Sequence, residues 1–185
     1  MPDSREIIRA VQGVWMLARF NPAGMSWLNI TLAGFWRSFG AAVLLAPFFA
    51  VTLAILYAGS STSLGRIVAV EFAQYALGWI VFPAVMIFVA RTLNLTDRYV
   101  GFIIAYNWSS VIQVAVFFPL TLATAYAGPS WTMEFLWLSA WAYVVIFLIF
   151  IARTALATTL ATAISVVALD VMLRLVIVLA GSDLM

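Results

Sequence analysis

The stretch Thr154 to Gly181, TALATTLATAISVVALDVMLRLVIVLAG, decides how the rest of the chain is read. It is almost unbroken apolar sequence, long enough to cross a hydrocarbon layer of ~30 Å. In its second half it carries Asp170 and Arg174, one helical turn apart and able to pair on one face. A charge near mid-bilayer costs ~2.5–3.5 kcal/mol on insertion scales, so such residues turn toward a bundle interior and meet partners there. The rest of the chain must supply that interior.

Composition agrees. Of 185 residues, 66% are hydrophobic and 9% charged, and the mean hydropathy of +1.12 lies far outside the range of a soluble domain. At about 20 residues per span, the length holds one bundle of about five spans and leaves no room for a second domain. The net charge of +2 comes from arginines scattered singly. Without a cluster of ~4–8 basic residues there is no polybasic lipid tract, and without a basic stripe no nucleic-acid partner is expected.

Absent residue types narrow the chemistry further. The chain has no Cys, His or Lys, which excludes thiol catalysis, imidazole haem or metal ligation, a Ser-His dyad and a lysine Schiff base. No G-x-S-x-G, P-loop or G-x-G-x-x-G motif is present. Intramembrane aspartyl proteolysis needs two facing aspartates, and Asp170 is the one Asp placed within a span. No catalytic residue, cofactor or metal is expected.

The expected fold is all-α: a polytopic membrane helix bundle of five transmembrane helices plus an N-terminal amphipathic helix. Residues 1–37 form a cytoplasmic interfacial segment and 38–181 the bundle, with spans at about 38–58, 67–90, 99–125, 131–152 and 156–180. In the first segment, Ile7, Val11, Val14, Trp15 and Ala18 share one helical face, and Arg5, Arg9, Gln12 and Arg19 the other. Asp3 and Glu6 have capping-box spacing, and Asn21-Pro22 supplies the stop. Such a helix serves as a surface anchor, as a docking element for a partner, or as a cover over the end of the bundle.

Ala42, Ala46, Ala50, Ala54 and Ala58 form a ladder at every fourth residue of the first span, a spacing that lets helix backbones approach closely. It serves as a packing stripe or as a face for dimerisation with a second copy. Pro47 within it predicts a kink. Arg5, Arg9, Arg19, Arg37, Arg91, Arg98 and Arg153 fall on one side of the membrane and Arg66 on the other, so the positive-inside rule places the N-terminus in the cytoplasm and the C-terminus outside.

Depth counted inward from the span ends brings Glu71, Gln74, Asn107, Gln113, Asp170 and Arg174 to comparable levels. The expectation is one intramembrane polar network of these six residues. One Arg between two carboxylates leaves an unbalanced negative charge, which a proton on Asp170 or Glu71 would relieve. The network thus reads as a polar clasp holding the fifth span to the second and third, as a substrate or ion pathway, or as a recognition surface within the membrane.

The segment Ala33-Gly-Phe-Trp-Arg-Ser38, ahead of five spans rich in small residues and with an inside N-terminus, resembles bacterial members of the Yip1-like membrane proteins. The resemblance implies a non-enzymatic role in membrane organisation or complex assembly, with the lipid bilayer and other membrane proteins as partners and a bacterial inner membrane as location. The competing class is a small proton-coupled transporter, or a subunit of one, that uses the intramembrane carboxylates.

Overall fold

A computed structural model describes residues 2–184. The described residues fold into helices α1 (Ser4–Ala18), α2 (Leu32–Ser38), α3 (Gly40–Leu56), α4 (Leu64–Thr92), α5 (Thr96–Ala127), α6 (Trp131–Leu156) and α7 (Leu160–Ser182), with a 3₁₀ turn at Pro22–Trp27. Five stretches are long and apolar enough to cross a membrane: Leu32–Leu56, Leu64–Thr92, Thr96–Ala127, Trp131–Leu156 and Leu160–Ser182. The chain is an integral membrane protein of the all-α bundle class.

Local chemistry sets the helix ends. The Asp3 carboxylate accepts from the Glu6 N–H at 2.7 Å and starts α1. Ser130 does the same for α6 through the Met133 N–H, and Thr159 for α7 through the Thr162 N–H. The hairpin between α6 and α7 contains no Gly or Pro. Ala157 turns the chain there in the left-handed region, at φ 49°, with its N–H on the Arg153 carbonyl. The last helix therefore begins at Leu160, later than the expected 156.

The bundle is built around α5. Every residue from Gly101 to Ser109 is buried, on all faces of the helix, because α1, α2, α3, α4 and α6 all pack against it. Helices apolar all round belong in such interiors. The ends of α4 and α6 and the starts of α5 and α7 lie together beside Arg91, Arg98 and Arg153, which we call the arginine end.

The N-terminal segment is part of this core and not a separate layer. Val14 and Leu17 of α1 are fully buried, in the same cluster as Phe102, Ile103 and Phe147. Tyr143 of α6 donates its hydroxyl to the Ala18 carbonyl at 2.8 Å, and Phe20 sets its ring edge-on to Tyr143 and Phe150. The buried face is Ala10, Gly13, Val14, Leu17 and Ala18, whereas Trp15, expected among the apolar residues of that face, is 58% exposed. The cause is Gly24 in the 3₁₀ turn: a Cβ there would strike the Gly13 carbonyl and the Leu17 side chain. The two glycines press together and rotate the seam toward themselves.

In the first span the helical hydrogen bonding is interrupted at Phe39, between α2 and α3, where the backbone stays in the right-handed helical region, and Pro47 lies inside α3. Ala41 and Leu45 are the α3 residues buried against the bundle. Ala46, Ala50 and Ala54 of the ladder line an open groove of about 590 Å³ between α3 and α4.

Candidate functional site

Asp170 is buried, with 1% exposure. Arg174 Nε donates to Asp170 Oδ1 at 3.1 Å and to Oδ2 at 3.2 Å. The third member is Tyr106 of α5. Its hydroxyl donates to Asp170 Oδ1 at 2.6 Å and accepts from Arg174 Nη2 at 2.5 Å. The guanidinium carbon lies 5.9 Å from the centre of the Tyr106 ring, adding a cation–π contact. Tyr106 and Asp170 meet because each sits about ten residues, roughly 15 Å, from the arginine end of its helix.

The expected six-residue network divides. Glu71 does not reach Arg174; it accepts from the Tyr57 hydroxyl at 2.6 Å. Counting depth from helix ends assumed that the start of α4 and the end of α7 lie level, and they do not. A Cβ on Gly181 would strike the Gln74 side chain, so the end of α7 lies level with Gln74, about ten residues into α4. Glu71, nearly one turn further out, stands beyond α7.

Asn107 turns the other way. Its Nδ2 donates to Ser38 Oγ at 2.9 Å, and Ser38 Oγ donates to the Phe35 carbonyl at 2.7 Å. This bond fixes the α2–α3 junction against α5. Asn107 Oδ1 is buried with no hydrogen-bond partner among the described residues. Gln113 Nε2 donates to Ser109 Oγ at 3.2 Å, and Ser109 Oγ donates to the Tyr106 carbonyl at 2.6 Å. Gln113 therefore connects to the Tyr106 cluster through the backbone, while Gln74 makes no side-chain hydrogen bond among the described residues and lines a cavity beside the cluster.

A cavity of about 580 Å³ opens among α3, α4 and α5, with Arg174 of α7 and Trp137 of α6 at its margins. Gln74, Tyr106, Ser110, Gln113 and Arg174 give it a polar end, and Phe48, Phe49, Trp79, Phe117, Phe118 and Trp137 are among its apolar walls. The Arg174 side chain is 43% exposed, against 2% for Asp170. The carboxylate is sealed in, and the guanidinium opens outward.

Tyr106 was legible in principle: a tyrosine about ten residues inside a span carries a hydroxyl that needs a partner when buried. A second polar cluster lies near the N-terminus, where Arg37 Nη1 and Asn29 Nδ2 donate to Glu6 at 3.0 and 2.8 Å. Compared with protein-family models, with curated proteins and with solved structures, the chain matches none.

Proposed function

We propose that this integral membrane protein is non-enzymatic and works in membrane organisation or in the assembly of a membrane complex, as the Yip1-like resemblance implies. The observation that carries the reading is how its charges are engaged. Asp170 and Arg174 tie α7 to α5 through Tyr106, Glu71 is held by Tyr57, and Glu6 holds Arg37 and Asn29. These groups hold helices together. A proton-coupled carrier would have to release Asp170 from both Arg174 and Tyr106 in every cycle.

The uncovered alanine ladder supports assembly. Ala46, Ala50 and Ala54 line a groove, and small residues at this spacing let a neighbouring helix approach closely. Ala50→Cys, introduced into the cysteine-free chain, is expected to give a discrete cross-linked product in native membranes, with a second copy or with another membrane protein. Met172→Cys, on a 65% exposed position of α7, is the comparison. Equal yields from the two positions, or none from Ala50→Cys, would remove the assembly reading.

The proposed setting is a bacterial inner membrane, with the N-terminus in the cytoplasm and the C-terminus in the periplasm, on the arginine asymmetry. Ser182→Cys is then expected to react with an impermeant maleimide added outside intact spheroplasts. Labelling only in inverted vesicles would reverse the orientation.

A further inference from the structure

We propose that the cavity among α3, α4 and α5 binds a neutral molecule with a planar, carbonyl-bearing ring and an apolar tail, of the quinone type. The inference goes beyond the assembly role and does not depend on it. Three features of the site choose the ligand.

The first is the donor set. Arg174 uses Nε on Asp170 and Nη2 on Tyr106. Its Nη1 edge has no hydrogen-bond partner among the described residues, and neither has the Ser110 hydroxyl or the Gln74 amide; all three residues border the cavity. A guanidinium has five N–H donors and no acceptor. A head group that offers oxygen acceptors can pair with all three, whereas one that offers only donors leaves Arg174 unmet.

The second is charge. Asp170 already balances Arg174. A carboxylate or phosphate added beside them would leave an unpaired anion in a region of low dielectric, at a desolvation cost of several kcal/mol. A ketone oxygen accepts the same N–H groups without that cost.

The third is the wall. Phe49 stacks on Tyr75 at 4.4 Å and 24°, and Phe117 stacks on Trp137 at 5.6 Å and 16°. Together with Trp79 these rings border the cavity, and flat aromatic faces favour a planar guest. The volume, about 580 Å³, falls within the ~300–1,000 Å³ typical of small-molecule sites.

The test uses the full chain in lipid nanodiscs with decylubiquinone as probe, read by titration calorimetry against empty nanodiscs. Saturable binding is expected, at least tenfold tighter than for decanoate, which carries a charge, or for decylbenzene, which has the ring and tail without the carbonyls. Gly78 borders the cavity, and a Cβ there meets nothing within 4 Å, so Gly78→Leu adds a side chain at the cavity wall while leaving Asp170, Arg174 and Tyr106 themselves unaltered. It is expected to weaken binding at least tenfold with the melting temperature unchanged. Ser110→Val, which removes one donor, is expected to weaken it severalfold and serves as a second variant if Gly78→Leu folds poorly. Non-saturable uptake equal to empty nanodiscs, decanoate or decylbenzene binding as tightly, or full affinity in both variants would each overturn the proposal.

Discussion

Asp170→Ala is expected to destabilise the bundle by about 3 kcal/mol, the lower part of the ~3–5 kcal/mol seen when one partner of a buried ion pair is removed. The lower part applies because Arg174 keeps its bond to Tyr106 and its side chain is 43% exposed. Tyr106→Phe removes one hydroxyl and keeps the ring, so its cost is about 0.6–1.7 kcal/mol, the range for polar contacts between membrane helices. The telling comparison is the double variant Asp170→Ala with Arg174→Leu. Once the unpaired charge is gone, the double variant should be more stable than Asp170→Ala alone. Unfolding of the purified protein in mixed micelles measures all three. An Asp170→Ala cost under about 0.5 kcal/mol, or strict additivity in the double variant, would show that the ion pair does not hold α7 in place.

Leu17→Asp should release α1 from the bundle. Leu17 is fully buried between the 3₁₀ turn and the core. Its burial contributes about 1.5–3 kcal/mol, and a carboxylate in its place adds the desolvation of an unpaired charge. Since 1.4 kcal/mol is a factor of ten, the reactivity of a reporter cysteine at the buried position Ala10 should rise at least ~100-fold. The spanning helices keep their own contacts, so the protein should remain in the membrane. An unchanged labelling rate would mean that α1 contributes little to the core.

Much of this architecture was open to reading. Runs of apolar residues located all five spans, and Asp3 caps α1 as its spacing to Glu6 suggested, whereas the Ser130 and Thr159 caps of α6 and α7 were not foreseen. Four further features were hidden, each for a physical reason. The α6–α7 turn rests on Ala157 in a left-handed conformation, which alanine rarely adopts and no composition rule flags. The rotation of α1 depends on Gly24, which the chain brings back onto Gly13. Tyr106 escaped notice because aromatic residues in spans read first as packing. Glu71 was misplaced because span length does not reveal how far one helix projects past another.

At the site, the pairing of Asp170 with Arg174 followed from one-turn spacing alone. That spacing could not say which neighbour completes the pair, since the partner lies on another helix, 64 residues away in sequence from Asp170. Asn107 and Gln113 were expected in one network with the charges. Both found their partners close to α5, in Ser38 and Ser109, and not with the charges.

The seat of α1 on α5 and α6 also dictates an order of events during synthesis. This helix leaves the ribosome first, yet the surface that receives it includes Tyr143, whose bond to Ala18 spans 125 residues of chain. Until most of the polypeptide has been made, α1 has nowhere to settle. Its arginines and apolar flank suit it to wait at the lipid headgroups in the meantime. This helix is thus made before α5 and α6 but takes its seat only after them.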